Sequence, residues 1–220
     1  GFHIQWIPKN PRWQIYVDIW TQIPLLTFVK NTVKITVVVT LLQLFTSSFA
    51  AYAFAKMQFK GKNALFLGYI ATIAVPWQAY MVPQFMMMSS WHLNNTHLAI
   101  MCLQAFSAFG VFLMKQFYEG VPTELCEAAR IDGLSEYGIW WHIMLPLSLP
   151  ALSPLTIFTF VNTWNDFLGP LIYLTKTELK TIQIGLRMFI TQYSAEYGLI
   201  MAASVVALIP VLIVFLSLQK

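Results

Sequence analysis

Residues Val33 to Ala55 read VKITVVVTLLQLFTSSFAAYAFA. About 20 consecutive, mostly apolar residues carry an α-helix across the hydrocarbon core of a bilayer, and this run meets that requirement. Four further stretches also meet it, at about 64–88, 97–117, 146–168 and 198–218. Composition agrees. Of 220 residues, 58% are hydrophobic and 10% charged, against roughly a quarter charged in ordinary soluble domains. The expectation is an all-α polytopic membrane protein of one domain, 33–220, with about five spans.

Prolines interrupt two of these stretches: Pro76 and Pro83 the second, Pro146, Pro150 and Pro154 the fourth. In a membrane bundle, neighbouring helices and Ser/Thr side chains satisfy the backbone groups that proline frees. Each is read as a packing kink rather than a gating hinge. Residues 1–28 differ, with Trp6, Trp13, Tyr16 and Trp20 among Pro8, Pro11, Pro24, Lys9 and Arg12. Such composition suits an interfacial connector, so 1–32 is placed outside the membrane. Gly169–Leu174 is too short to span and reads as a re-entrant or interfacial piece. The chain starts at Gly1 without a signal-peptide pattern and stops at Gln219-Lys220 right after an apolar run, so it reads as an internal fragment.

Several function classes find no support. The net charge of +4 is not gathered into a basic stripe, which argues against nucleic acid. Cys102 and Cys126 form no ligand pair. Met86, Met87 and Met88 read as bilayer or packing filler, and His92 and His97 as surface residues of a short external loop. No metal or cofactor is expected.

Lys and Arg in short loops set orientation. Lys56, Lys60 and Lys62 in the loop 56–63 have no acid beside them, which places that loop in the cytoplasm. Alternation then puts 89–96 outside, 118–145 inside, 169–197 outside and Lys220 inside.

The loop 118–145 holds a polar island, Val121 to Gly133. Pro122 suits a first helical position, Glu124 the anion-favouring first turn, and Gly133 the left-handed residue past the end. Leu125, Ala128 and Ala129 share one face. Ser135 can cap a second helix whose apolar face is Ile139, Trp140, Ile143 and Met144, ended by Pro146. The result is a helix–turn–helix knuckle. Two readings stand on these residues. Small Ala128 and Ala129 with carboxylates Glu124, Glu127, Asp132 and Glu136 make a docking face, or the segment is a solvated acidic loop with an amphipathic helix on lipid. Acidic side chains fit anionic headgroups poorly, which favours a protein partner.

The string Glu127-Ala128-Ala129-Arg130-Ile131-Asp132-Gly133, followed by Ile143-Met144-Leu145-Pro146, resembles the EAA loop of permease subunits in binding-protein-dependent ABC importers. The fuller string resembles the carbohydrate-uptake branch, which includes the maltose-type and glycerol-phosphate-type permeases. Ala50 to Ala55, Val75-Pro76, Val82-Pro83, Gln116-Phe117, Trp164 to Phe167 with Pro170-Leu171, and Met201 to Ser204 are similar to that family in order along the chain. The resemblance implies six spans with a first helix before this segment, and a short cytoplasmic tail after it. It implies a bacterial-type inner or plasma membrane location. The implied partners are a second homologous permease subunit, a cytoplasmic ATPase dimer, an extracytoplasmic solute-binding protein and a carbohydrate substrate. The implied coupling residues are Glu124, Glu127, Ala128, Ala129, Asp132 and Gly133. The chain has no Gly-rich phosphate loop ending in Lys-Ser/Thr, so ATP hydrolysis belongs to a partner and no catalytic residue is assigned.

Polar residues at membrane depth face a cavity or another helix. Asn162, Thr163, Trp164, Asn165 and Asp166 are the densest such group. Trp164 can stack on a sugar ring, and Asn162, Asn165 and Asp166 can bond its hydroxyls. Alternatively Trp164 is an interfacial anchor, and Asn165 and Asp166 tie the following turn. Gln43, Gln78, Gln84 and Gln104 read as interhelical hydrogen bonds. Two other classes stand as alternatives. A secondary transporter or channel needs more buried ionisable groups than this chain has. An intramembrane enzyme needs paired acids or a partnered base, and Asp166 alone lies near membrane depth.

Overall fold

The computed structural model describes residues 12–190 and 197–218. Trp6, Pro8, Lys9 and Pro11 of the expected connector, and the inward placement of Lys220, lie outside the described residues. The described chain is helical, with no β-strand.

The helices are α1 (Ile15–Gln22), α2 (Leu25–Lys56), α3 (Lys62–Ala71), α4 (Trp77–Ser90), α5 (His97–Gln104), α6 (Ala108–Glu119), α7 (Glu124–Ile131), α8 (Glu136–Ile139), α9 (Leu145–Leu147), α10 (Leu149–Trp164), α11 (Leu168–Tyr173), α12 (Ile182–Met188) and α13 (Tyr197–Leu218). A π-helical turn, Trp140–Met144, joins α8 to α9, so Glu136–Leu147 is one continuous rod. By length and apolarity α2 and α13 can each cross a bilayer, and three bent pairs bring the number to as many as five where each pair makes one crossing.

Those pairs correct the simplest reading of three spans. The second breaks at Val75-Pro76, and its halves meet at 101°. Proline pushes the preceding residue out of the helical region, and Val75 is extended. Pro83, Pro154 and Pro210 lie inside continuous helices. The third span bends by 40° at 105–107, where Ser107 accepts from the Gly110 N–H and restarts the helix. The fourth turns by 81° at Ser148 rather than at Pro146.

Helix α2 begins at Leu25, eight residues before the expected Val33, so 25–32 is helical and continuous with the first span. At 32 residues and 1.5 Å per residue, it is about 48 Å long and outruns the roughly 30 Å hydrocarbon core. Three clusters of buried side chains lie along it. Leu25 joins Ile19, Phe160, Trp164, Ile182 and Ala203 at one end. Ile35 and Val39 join Met88, Ile100 and Tyr173 in the middle. Ala51 and Tyr52 join Met114, Tyr118, Trp140 and Leu155 at the other. Small residues let membrane helices approach closely: a Cβ on Gly110 of α6 would collide with Ser47 Oγ of α2.

His97 is buried and not a surface residue, because its Nε2 bonds the Leu179 carbonyl at 2.9 Å.

Candidate functional site

Two regions hold the residues singled out in the sequence. The first is the knuckle. Thr123 precedes α7 and its carbonyl takes the N–H of Cys126 and of Glu127. Pro122 therefore lies just before the helix rather than in its first turn. Gly133 has φ +87°. The Leu134 N–H reaches the Ala129 carbonyl and the Gly133 N–H the Arg130 carbonyl, the paired bonds that close a helix on a left-handed glycine. Ser135 Oγ accepts from the Gly138 N–H and starts the second helix.

Burial divides α7 differently from the expected face. Cys126 and Ala129 point into the core, whereas Glu124, Leu125, Glu127, Ala128, Ile131 and Asp132 are exposed. Ala129 is thus excluded from a docking face, because it is packed in the cluster with Trp140 and Met144. Ile131 is 86% exposed, an apolar side chain between Arg130 and Asp132. Sequence reasoning missed it, since the spacing of Leu125, Ala128 and Ala129 drew attention to another stripe.

The back of the knuckle is tied to α2. Lys56 Nζ donates to the Val121 carbonyl, Tyr52 Oη to a Glu136 carboxylate oxygen, and Trp140 Nε1 to Ser48 Oγ at 2.9 Å. Arg130 Nε donates to Glu136 at 2.6 Å, and this bond holds the Glu136 carboxyl below its ordinary range, helped by the Tyr52 hydroxyl. The bond from Lys56 places the basic loop and the knuckle at the same end of the molecule. It also means that Lys56 is buried rather than free in that loop.

The second region is a cavity of about 630 Å³ lined by Gln43, Tyr80, Gln104, Phe106, Phe158 and Asn162, among others. Of the four residues proposed for a solute path, Asn162, Asn165 and Asp166 line this cavity and Trp164 does not. Trp164 is buried and outside the lining, its indole N–H donating to the Ala207 carbonyl at 3.0 Å and its ring stacked on Phe160. It is neither an open stacking platform nor an interfacial anchor. Asn165 donates to the Val161 carbonyl and accepts from Gln183. Asp166 accepts from Gln104 Nε2 at 2.7 Å and from the Gly169 N–H at 3.1 Å, the turn-tying role considered for it. Asn162 is exposed in the lining.

Gln43 and Gln104 do form interhelical bonds. Gln43 Nε2 donates to the Gln104 carbonyl and its Oε1 accepts from Thr159. Gln84 accepts from Trp77 within α4. Tyr80, Phe106 and Phe158 give the cavity its exposed aromatic surface. They lie on three segments far apart in sequence, so no local motif announced them.

Two long apolar helices, three bent apolar pairs, a projecting knuckle and a cavity walled by several of these helices define a polytopic α-helical membrane protein. Residues 15–220 match the binding-protein-dependent transport system inner membrane component, and the chain belongs to that family. It is similar to the arabinooligosaccharides transport system permease protein AraQ of Halalkalibacterium halodurans, 38% identical over 88% of this chain and 70% of that one. It is also similar to the lactose transport system permease protein LacG of Rhizobium radiobacter, 37% identical over 86% and 70%. The probable starch degradation products transport system permease protein AmyC of Thermoanaerobacterium thermosulfurigenes is 31% identical over 97% and 78%. The fold is similar, with a TM-score of 0.89, to that in the crystal structure of a bacterial ABC transporter involved in the import of the acidic polysaccharide alginate. That likeness covers 100% of this chain and 83% of the other at 24% identity.

Proposed function

We propose that this chain is the membrane-spanning permease subunit of an ATP-driven importer for a sugar or oligosaccharide, set in a bacterial inner or plasma membrane. Its knuckle faces the cytoplasm and docks on a separate ATPase dimer. A second homologous permease subunit completes the path, and an extracytoplasmic solute-binding protein delivers the carbohydrate. The observation that carries this reading is the knuckle's division of labour in a chain of this family. Glu124, Glu127, Ala128, Ile131 and Asp132 are turned outward, while Cys126, Ala129 and Trp140 anchor the opposite side. Gly133 takes the left-handed turn that sets the second helix against the first.

A sugar presents an apolar ring face and a rim of hydroxyls. Tyr80, Phe106 and Phe158 offer faces for the ring, and the exposed amide of Asn162 offers a donor and an acceptor for the rim. Relatives named for arabinooligosaccharides, lactose and starch degradation products support a carbohydrate cargo.

Copurification and crosslinking test the coupling. Ala128→Cys should crosslink to a copurified ATPase, and buried Ala129→Cys should not. If no ATPase copurifies, and Glu127→Ala and Gly133→Ala both leave uptake unchanged, the coupling role is wrong.

A further inference from the structure

Helix α2 presents three polar side chains, Ser48, Tyr52 and Lys56, at successive intervals of four residues, which puts them on one face. Each holds a different part of the knuckle. Lys56 takes the carbonyl of Val121 at its entrance, Tyr52 takes Glu136 at the start of its second helix, and Ser48 takes the indole of Trp140 in the π-helical turn. Ser48 Oγ also lies 2.7 Å from Tyr118 Oη, which donates to Ser148 Oγ at the 81° corner. Ser48, Tyr118, Trp140 and Ser148 are all completely buried. Apolar side chains would fill this space without any demand on direction. A satisfied buried polar network instead fixes one relative arrangement of the parts it joins.

The other end of α2 is held in the same way. Asn31 Nδ2 donates to the carbonyls of Glu178 and Lys180 at 2.8 and 3.0 Å, and Thr32 Oγ1 accepts from the Ile182 N–H at 2.9 Å. Asn95 takes the N–H groups of Thr175 and Lys176 in that loop, and His97 takes the Leu179 carbonyl. From Thr32 to Tyr52 is one uninterrupted helix, about 30 Å long at 1.5 Å per residue. The other crossings between the two ends are broken or bent, apart from α13. In α13 neither end carries polar bonds of this kind among the described residues.

We propose that α2 is a rigid rod that carries movement of the knuckle to the loop 174–182 at the opposite end, with Ser48, Tyr52 and Lys56 as positioning residues at one end and Asn31 and Thr32 at the other. The proposal rests on the knuckle docking an ATPase. It adds the route by which ATP-driven movement reaches the far face, and it makes the loop 174–182 the element that answers.

The test uses this chain reconstituted with its partner permease and ATPase, with nitroxides on exposed His142→Cys in the knuckle and exposed Thr177→Cys in the loop. Pulsed electron paramagnetic resonance reads their separation with and without ATP and vanadate. A rod keeps that separation within about 2 Å between the two states, the scale of a helix shift. Tyr52→Phe and Thr32→Val should each broaden or shift it. A larger change in the otherwise unaltered chain, or an unchanged separation in both variants, overturns the rod. If a variant does not assemble, the measurement on the otherwise unaltered chain still decides. Failure of the ATPase to copurify with the unaltered chain is a different result, which removes the coupling role and the rod with it.

Discussion

The knuckle and the cavity use polar residues in opposite ways. In the knuckle, the residues marked by sequence divide into an exposed acidic face and a buried anchoring face, and the exposed set remains free for a partner. At the cavity, most of the marked residues are already occupied. Trp164 bonds Ala207, Asn165 bonds Gln183, and Asp166 bonds Gln104 and the Gly169 N–H. The difference follows from the surroundings. The exposed side of the knuckle leaves its polar groups in water at little cost. A polar group at membrane depth must find a protein partner, so a dense polar cluster there identifies helix contacts before it identifies a solute site.

The largest effects should come from the two buried tryptophans. Trp140→Ala and Trp164→Ala should each lower stability by about 3–5 kcal/mol, read as thermal unfolding in detergent. Trp140→Ala should also abolish ATPase copurification, whereas Trp164→Ala should leave it in place. Equal loss of the ATPase in both variants would break the comparison.

A smaller change sharpens it at the cavity. Trp164→Phe removes one buried hydrogen bond, about 1 kcal/mol, and should leave apparent affinity for the sugar intact. Asn162→Ala and Tyr80→Ala should weaken uptake several-fold without shifting the melting curve. The reverse pattern would return Trp164 to the solute path. Gly133→Ala should cost about 1–2 kcal/mol for the left-handed backbone. Its effect should appear in ATPase docking more than in sugar affinity.

The smallest expected effect is a pH dependence. Glu136 has a folded pKa below the ordinary 4.5, chiefly through the Arg130 hydrogen bond. The sign follows: its stabilisation is present above about 4.5 and is lost as pH falls below that value through the depressed folded one. Solvent around this partly exposed pair screens the interaction and keeps the contribution small. Glu136→Gln should flatten the acid limb of a melting-temperature profile. An unaltered limb would show that the Arg130–Glu136 pair does not set the knuckle's acid stability.

Legibility in the sequence tracked distance along the chain. The spans were legible because bilayer thickness imposes a run length. The C-terminal end of α7 and the start of α8 were legible because Gly133 and Ser135 act on backbone groups within a few residues of themselves. The breaks at Val75 and 105–107 were not, and neither was the course of the second knuckle helix through Pro146 to the corner at Ser148. Proline alone does not distinguish a break such as Pro76 from a continuous helix such as that through Pro154. The packing around it decides.

By itself, the sequence determined an all-helical membrane protein, its approximate crossings, and a capped two-helix insertion with acidic character. Only the tertiary structure decided that Ala129 faces inward and Ile131 outward, that Trp164 and His97 are buried, that Tyr80, Phe106 and Phe158 share one cavity with Asn162, and that Ser48, Tyr52 and Lys56 all grip the knuckle. The physical reason is that periodicity and capping act between neighbours on one helix. The direction a face takes, and the partner a buried donor finds, depend on which other helix arrives beside it.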